Sequence, residues 1–354
     1  MRKIFLILFL FLSFNIKVVA STETASSYVL MDMDSNNVVM SKDKDKPMLI
    51  ASITKIMTCI LAIENGNLDD VVVVDDTIND SIGSGIYISV SEKITLRDLL
   101  YGLMLRSGND AALMISKYVG GSVSDFVSMM NEKAKLLGMK NSIFYNPSGL
   151  DNVMGNLSTA YDMALLTSYA MKNDVYREIV STKKYICKTN LKTYIWYNKN
   201  KLLGNDFITG GKTGYTEKAK RTLVSTGSKD NMNFVVVTLR DSDDWNTHLD
   251  LYDYAFSNYQ RIKILDKNKF YVMDNNIKDK LYIKNDVYLT LKKEDNKKLV
   301  NHIKLNKFSN YKNGSVVGSS NIYLDDKLLY KEDIYINKKD NKSIFSRIKE
   351  WFND

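Results

Sequence analysis

Residues Pro47 to Thr58, with the sequence PMLIASITKIMT, say most about how this chain folds. The centre of this stretch, Ser52-Ile53-Thr54-Lys55, places a serine and a lysine three positions apart. From Ser52 to Glu64, Ile, Met, Leu and Ala occupy nearly all sides, which is typical of a helix buried at a domain centre. We therefore expect a buried helix with Ser52 at or near its N-terminus and Lys55 on the same face.

Two further strings follow at defined distances. Ser107-Gly108-Asn109 begins about 55 residues after Ser52, and Lys212-Thr213-Gly214 begins about 105 residues after that. Each string alone recurs by chance, but their order and spacing together match the three motifs of serine acyl-transfer enzymes. A helical pattern capped by Thr95 ends before Ser107 and resumes at Asp110, so the second string is predicted on a turn between two helices.

These strings supply an activated nucleophile. A serine hydroxyl is weakly nucleophilic until a base takes its proton, and a lysine acts as that base when its pKa is lowered. We expect Ser52 to be the nucleophile and Lys55 its general base, with the positive charge of Lys212 lowering the Lys55 pKa. The backbone N–H groups of Ser52 and Tyr215 are expected to form an oxyanion hole.

The other motif residues are predicted to relay protons and bind substrate. Ser107 is expected to pass a proton toward the leaving group, and Asn109 to hold the substrate amide or Lys55. Lys212 and Thr213 suit a substrate carboxylate. The missing side chain at Gly214 is expected to let the substrate backbone lie close to the strand.

Composition narrows the alternatives. The chain has 354 residues and is 45% hydrophobic, enough for a sizeable core and two domains. Cys59 and Cys187 are the only cysteines, and we expect free thiols, with Cys59 buried. With only His248 and His302, a histidine triad or a multi-histidine metal site is poorly supported, and no metal or cofactor is expected.

The first twenty residues have the pattern of a secretory signal peptide. Arg2 and Lys3 supply the charged start, Ile4–Phe14 the apolar stretch, and Val18-Val19-Ala20 a small-residue cleavage site before Ser21. An uncleaved anchor is the alternative, although the apolar run is short for a spanning helix. We expect the mature protein on the extracytoplasmic side of the cell membrane.

The formal charge of +8 is unevenly distributed. Residues 261–354 contain 21 Lys and Arg against 13 Asp and Glu, whereas residues 21–260 are net acidic by three. The end of the chain, 341–354, places its large apolar residues on one helical face: Ile344, Phe345, Ile348, Trp351 and Phe352. This pattern favours a short amphipathic helix that binds an anionic membrane surface, with a solvated basic surface as the alternative. Nucleic acid is disfavoured as a partner.

The order of periodic segments indicates an α+β catalytic domain over residues 21–260. A hairpin around Ser35-Asn36 comes first, then a helical cluster, then strands at Lys212–Gly214, Leu223–Thr226 and Phe234–Leu239, and a helix over Trp245–Tyr259. A small all-β domain is predicted over 262–340. Its strands are expected at 270–273, 281–283, 287–289, 302–305 and 321–324.

Residues 25–260 resemble the D-alanyl-D-alanine carboxypeptidases, the low-molecular-mass penicillin-binding proteins of serine peptidase family S11. The resemblance extends beyond the three strings to NPSGL (146–150), STAYDMA (158–164) and GKTGYTEKAKRTLV (211–224). It implies a β-lactamase/transpeptidase-like domain, an antiparallel sheet with a helical cluster, followed by a β-rich domain and often an amphipathic terminal helix.

The resemblance also implies a reaction. Ser52 would attack the peptide bond between the last two D-alanines of a peptidoglycan stem peptide, releasing D-alanine, and water would hydrolyse the acyl-enzyme. Penicillins and other β-lactams would acylate the same serine. Arg240, at a strand end, corresponds to a basic residue that many members place near the carboxylate pocket, with a surface arginine as the alternative.

Two departures from the family pattern bear on substrate preference. Many members have a histidine where Leu157 precedes Ser158, and a glycine where Lys220 follows Ala219.

Three other functions stay open. A class A β-lactamase would have S-D-N in place of Ser107-Gly108-Asn109 and an added glutamate base, and no E-x-x-L-N string lies between the second and third motifs. A non-catalytic wall-binding protein would keep the fold without the reaction. D,D-endopeptidase action on cross-links would use identical chemistry.

Overall fold

The computed structural model describes residues 23–272, 279–306 and 311–338. The predicted signal peptide and the predicted terminal amphipathic helix both lie outside these residues. The chain divides into two compact units. The first comprises the described residues of Met1–Met31, with Val38–Gly227 and Val235–Tyr254; the second comprises Asp32–Asn37, Ser228–Phe234 and the described residues from Ala255 onward.

Seven α-helices lie in the described residues. They are α1 (Lys55–Asn65), α2 (Leu96–Tyr101), α3 (Asn109–Gly120), α4 (Val123–Leu136), α5 (Ala160–Ala170), α6 (Asp174–Ser181) and α7 (Asp244–Asn258). The sequence predicted α1, α2, α3 and α7 individually, because their apolar residues recur at helical spacing, and it did not predict α6. As predicted, Thr95 caps α2 by accepting a hydrogen bond from the Asp98 backbone N–H at 3.0 Å.

The strands of the first unit are β1 (Ala25–Asp32), β2 (Val38–Lys42), β3 (Met48–Leu49), β4 (Val71–Val73), β5 (Lys93–Thr95), β6 (Leu157–Ser158), β7 (Lys184–Lys188), β8 (Thr193–Tyr197), β9 (Ile208–Thr216), β10 (Lys220–Lys229) and β11 (Met232–Asp241). The ends of β1, β10 and β11 include residues that are grouped with the second unit. Five of them form a sheet in the order β2-β1-β11-β10-β9, with β9 at one edge. The predicted hairpin is β1–β2, which pairs antiparallel, and Asn36 in its turn has a φ of 57°.

Helix α1 lies at the centre of the helical cluster. Its residues from Lys55 to Ala62 are all buried, and it contacts α3, α4, α5 and α6. The apolar composition on nearly all sides therefore reflects burial on nearly all sides. Both Cys59 and Cys187 are buried free thiols, as expected from their number and setting.

In its described residues, the second unit is all-β apart from the end of α7 and one 3₁₀ helix at Lys293–Lys298. Its strands are β12 (Tyr259–Leu265), β13 (Lys280–Tyr282), β14 (Val287–Lys292), β15 (Leu299–Leu305), β16 (Val316–Leu324) and β17 (Lys327–Asn337). Strands β12 and β14 pair with each other, and the other four form a sheet in the order β13-β17-β16-β15.

The all-β prediction for this unit is confirmed, with one correction. Residues 270–272, the described part of the strand predicted at 270–273, are not in a strand; Phe270 instead packs against two small apolar clusters, one around Ile322 and the other around Ile334. Within the described ranges, no helix is both long and apolar enough to cross a bilayer.

Candidate active site

Ser52 lies in a single 3₁₀ turn, Ala51–Thr54, that leads directly into α1. The α-helix itself begins at Lys55, so Ser52 precedes it by one turn, close to the predicted position. Ala51 has a φ of 48°, a left-handed conformation that is costly for a residue with a β-carbon. This turn brings the Ser52 Oγ to 3.1 Å from the Lys55 Nζ.

Lys55 is fully buried and has three oxygen neighbours. Its Nζ donates to Ser52 Oγ, to the Asn109 Oδ1 at 2.7 Å and to the Ser148 carbonyl at 2.6 Å. An ammonium group has three donors, so all three are satisfied. If Lys55 loses one proton, two bonds can persist to Asn109 and Ser148, and the lone pair can then accept the Ser52 hydroxyl proton.

The electrostatic setting favours that neutral form. Burial, and then the positive charge of Lys199, lowers the pKa of Lys55 to about 7, while Asp110 opposes the shift. Sequence analysis attributed the lowering of the Lys55 pKa to the charge of Lys212, whereas in the structure the cation that lowers it is Lys199. Burial lowers the pKa of Lys212 far below its usual range, with further lowering from Lys55 and Lys199.

The second string lies on the predicted turn between helices. A π-helical segment, Gly102–Arg106, follows α2, and Ser107 then takes a left-handed φ of 66° before α3 begins at Asn109. The Ser107 Oγ accepts a hydrogen bond from the Lys212 Nζ at 3.1 Å. The fold thus joins the second and third strings, which are about 105 residues apart in sequence.

The third string lies on the edge strand β9. Lys212, Thr213 and Gly214 pair antiparallel with Val224, Leu223 and Thr222 of β10. A β-carbon on Gly214 would press against the Thr222 Oγ1 and lie 2.9 Å from the Ser52 backbone nitrogen. The glycine therefore lets the strand approach the nucleophile turn of the protein itself, a reason that the sequence did not supply.

The loop Asn146–Leu150 contributes a site atom that sequence reasoning missed. The Asn146 Oδ1 accepts a hydrogen bond from the Gly149 backbone N–H at 2.7 Å, and this turn aims the Ser148 carbonyl at Lys55. Gly149 has a φ of 85°, and a β-carbon there would collide with the Ala51 carbonyl. The NPSGL segment was recognised in the sequence, but the role of its Ser148 carbonyl was not, because any residue type can supply a backbone carbonyl.

A cavity of about 360 Å³ opens over Ser52. Predicted site residues in its lining are Ser52, Ser107, Thr213, Gly214 and Tyr215. The sequence missed its other basic and polar lining residues: Ser84, Lys199, Lys201, Arg221, Asp244 and Trp245. Lys199, Lys201 and Arg221 thus face a single carboxylate, that of Asp244, and the cavity suits an anionic ligand.

Arg240 is not among the residues that line this cavity. Its guanidinium donates to the Lys218 carbonyl at 2.9 Å, and it lines a neighbouring pocket that Tyr215 and Arg221 share. Arg221 lines both the Ser52 cavity and this neighbouring pocket. Its guanidinium pairs with the buried Asp244 carboxylate and lies over the Trp245 ring, 5.3 Å from the ring centroid.

No cluster of three or more His, Cys, Asp or Glu that could hold a metal occurs in the part of the chain that the structure describes. His248 is buried between two hydroxyls, with its Nδ1 2.6 Å from the Ser225 Oγ and its Nε2 3.1 Å from the Thr238 Oγ1. Burial lowers the pKa of His248 to about 3. This histidine is a neutral part of the core.

Comparison with known proteins agrees with this geometry. Residues 15–243 match the family model described as D-alanyl-D-alanine carboxypeptidase, peptidase family S11. The chain belongs to this family. Residues 259–342 match the model for the C-terminal domain of penicillin-binding protein 5, so the S11 domain is followed by the β-rich domain that the resemblance implied.

Curated S11 relatives cover different lengths of the chain. D-alanyl-D-alanine carboxypeptidase DacF of Bacillus subtilis is 32% identical over 69% of this chain and 65% of its own length. D-alanyl-D-alanine carboxypeptidase DacA of Haemophilus influenzae is 26% identical over 93% of this chain and 88% of its own. The chain thus spans a little less than two thirds of the Bacillus relative.

A solved S11 structure extends the likeness to the fold. Penicillin-binding protein 5 from Haemophilus influenzae matches with a TM-score of 0.76 and 25% sequence identity, over 89% of this chain and 97% of that one. The predicted fold class, an α+β β-lactamase/transpeptidase-like domain followed by a β-rich C-terminal domain, is confirmed.

Proposed function

We propose that this protein is a serine D-alanyl-D-alanine carboxypeptidase that removes the terminal D-alanine from peptidoglycan stem peptides during cell-wall biogenesis. The observation that carries the proposal is the Lys55 Nζ, 3.1 Å from the Ser52 Oγ and held by Asn109 and Ser148. A buried lysine with a pKa of about 7 is a base poised to act at neutral pH.

Acylation proceeds in two stages. Neutral Lys55 takes the Ser52 hydroxyl proton as Oγ forms a bond to the carbonyl carbon of the penultimate D-alanine. The C–N bond to the terminal D-alanine then breaks, and its nitrogen leaves as an amine. The Lys55 ammonium then passes this proton, through the hydroxyl of Ser107, to the leaving nitrogen, so Lys55 is neutral again and the Ser52 proton ends on the amine. Ser107 is held for this relay by its hydrogen bond from Lys212.

Deacylation reverses the roles with water in place of the amine. Lys55 takes a proton from a water molecule, whose oxygen attacks the ester carbonyl. The bond to Ser52 Oγ breaks, the serine regains a proton, and the shortened stem peptide leaves with a free carboxyl group.

Charge stabilisation comes from the same elements. The backbone N–H groups of Ser52 and Tyr215 hold the oxyanion, and each such donor contributes about 10²–10³-fold. Lys212 and Thr213 bind the terminal carboxylate of the substrate, and Arg221 of the neighbouring strand β10, which pairs with Tyr215, adds a third contact. β-Lactams, which carry a carboxylate beside a strained amide, acylate Ser52 as inhibitors.

The decisive experiment measures D-alanine release from a peptide ending in D-Ala-D-Ala. Wild type releases D-alanine and forms a covalent adduct with labelled penicillin, and Ser52→Ala loses both. Ser124→Ala, an exposed serine on α4, is the matched control and keeps both. A wild-type protein that is folded yet releases no D-alanine would indicate a non-catalytic wall-binding protein.

The same assay separates the other hydrolytic functions. Mass spectrometry of defined muropeptides before and after incubation distinguishes loss of the terminal D-alanine from cleavage of cross-linked dimers, which an endopeptidase would produce. Rapid steady-state turnover of penicillin, in place of a long-lived acyl-enzyme, would indicate a β-lactamase.

We also propose export through the signal sequence of residues 1–20 and peripheral attachment of the tail, residues 341–354, to the anionic outer face of the cell membrane. The charged and apolar order of the first segment and the apolar stripe and basic charge of the last support this. Deleting 341–354 is expected to shift the protein from the membrane fraction to the soluble fraction; unchanged fractionation would contradict the proposal.

A further inference from the structure

The β7–β8 hairpin is an unneutralised basic segment. Residues 182–205 contain six lysines and no aspartate or glutamate. They are Lys183, Lys184, Lys188, Lys192, Lys199 and Lys201. Among the ion pairs of the described residues, none involves any of these lysines, although the first unit has several other lysine and arginine pairs. Their charge is therefore available to an external anion.

The inner face of the hairpin is fixed to the core. Tyr185 stacks on Tyr101 with ring centroids 3.6 Å apart, and its hydroxyl donates to the Asp98 carboxylate at 2.7 Å. The Tyr194 hydroxyl donates to the fully buried Glu92 at 3.0 Å. A two-stranded ribbon is marginally stable by itself, so this support is what holds the hairpin in one conformation.

The outer face combines cations with apolar side chains. Ile186 and Ile195 are a cross-strand pair and are both more than half exposed, as is Tyr197. On either side of the isoleucine pair, Lys184 faces Tyr197 and Lys188 faces Thr193. The Lys184 Nζ lies 5.6 Å from the centroid of the Tyr197 ring. This face extends about 13 Å along the strands.

The hairpin is continuous with the wall of the Ser52 cavity. Its base is closed by a hydrogen bond from the Asn198 backbone N–H to the Lys183 carbonyl at 2.9 Å. Lys199 and Lys201, directly after this base, line the cavity. A ligand that extends out of the cavity past Lys199 and Lys201 would therefore reach the hairpin.

We propose that the outer face of the β7–β8 hairpin binds polymeric peptidoglycan, taking the carboxylate-bearing stem peptides that neighbour the one held in the Ser52 cavity. The inference rests on the proposed function and adds the polymer as the preferred substrate. The lysines match the carboxylates, and the isoleucines and Tyr197 match alanine methyl groups and the C–H faces of sugar rings. Continuity with the cavity favours the substrate polymer over an anionic bilayer as the occupant.

The test compares a large and a small substrate in the full-length protein. Lys184→Gln/Lys188→Gln is expected to lower the apparent kcat/KM for D-alanine release from purified sacculi by about fivefold. Release from a soluble pentapeptide is expected to change by less than about twofold. The control, Lys135→Gln/Lys140→Gln, removes two exposed lysines at the end of α4 and its flank and is expected to leave both activities unchanged.

Salt concentration distinguishes the contribution of the lysines on the outer face from that of the isoleucines. The effect of the lysine variant is expected to shrink at 0.5 M salt, where the Debye length is about 4 Å. Ile186→Thr/Ile195→Thr, which keeps strand-forming residues, is expected to reduce activity on sacculi at low and high salt alike. Labelled-penicillin acylation at the wild-type rate confirms that each variant is folded.

Three results would overturn the inference: equal losses on sacculi and pentapeptide, no loss on sacculi, or loss of binding to phosphatidylglycerol vesicles with activity on sacculi unchanged. The proposed function fails separately, if Ser52→Ala still releases D-alanine from the pentapeptide, a measurement in which the hairpin has no part.

Discussion

Gly214 and the Ser52 backbone nitrogen are so close that no β-carbon fits between them. A β-carbon at that position would lie 2.9 Å from the Ser52 nitrogen, closer than β-carbons approach other atoms in proteins, and 3.1 Å from the Ile53 nitrogen, which is tighter than most such contacts. The Thr222 Oγ1 closes the other side and is itself held by a 3.0 Å bond to the Ile50 carbonyl. Neither the Ser52 backbone nor the Thr222 hydroxyl can move away without a large cost in free energy.

Gly214→Ala is therefore expected to displace β9 from the nucleophile turn and to disturb the oxyanion hole between Ser52 and Tyr215. We expect the second-order rate constant for penicillin acylation to fall by about 10²-fold or more. Stopped-flow acylation with a fluorescent penicillin measures it. Gly204→Ala is the matched control, because nothing lies within 4 Å of a β-carbon there. Equal rates for the two variants would contradict the assignment.

The pH dependence of acylation is expected to report on Lys55. The base must be neutral, and its pKa is about 7, so the acylation rate should rise with pH through about 7 and level off above it. Asn109→Asp places a carboxylate 2.7 Å from the ammonium, which favours the charged form and raises the pKa. The midpoint should move upward, with about a tenfold loss at neutral pH; an unmoved midpoint would exclude Lys55 as the titrating base.

Arg221 and Arg240 are expected to differ in their effect on substrate binding. Arg221 lines the Ser52 cavity and Arg240 does not, so Arg221→Ala should raise KM for a D-Ala-D-Ala peptide by about tenfold, the value of one charged hydrogen bond. Arg240→Ala should change KM by less than about twofold. Because removing Arg221 leaves Asp244 buried without its partner, Arg221→Lys is the second variant and should recover part of the loss. The reverse order of effects would restore the sequence-based assignment of Arg240.

His248 is expected to make the fold acid-sensitive. Its pKa is about 3 in the folded protein and about 6.5 in the unfolded chain, so the unfolded state binds the proton first as pH falls. Stability should therefore fall as pH drops from 6.5 toward 3, by about 2 kcal/mol between pH 6.5 and 4.5 from this residue alone. In His248→Gln, less stable at neutral pH, that part of the decrease should be absent. Urea unfolding of both proteins at the two pH values measures it, and equal decreases would refute this role.

The three motifs could be predicted because each depends on local spacing. Ser52 and Lys55 are three residues apart on a helical turn, and no tertiary contact is needed to place them on one face. Thr95 likewise caps its helix through a residue three positions away. The alternating runs near Lys212, Leu223 and Phe234 have the period of strands and form strands.

What could not be predicted depends on contacts between distant segments. The Ser148 carbonyl bonds to Lys55 across 93 residues, and backbone acceptors leave no trace in residue type. The repulsion on Lys55 was assigned to Lys212, since only the folded structure shows that Lys199 lies at the cavity and that both other lysines are buried. The β7–β8 hairpin was missed because its inner face is aromatic: Tyr185 stacks on Tyr101 and Trp196 stacks on Tyr185, and only the folded structure shows this packing.

Strand β9 is the edge of its sheet, and an edge strand is ordinarily a place where a second chain can pair and begin aggregation. In this protein two elements pack against β9. The turn that presents Ser52 lies against Gly214, and Val180 of α6 lies against Gly210. The nucleophile turn thus packs against the strand that forms the sheet edge, and a displacement of that turn is expected to expose this strand and to cost solubility together with activity.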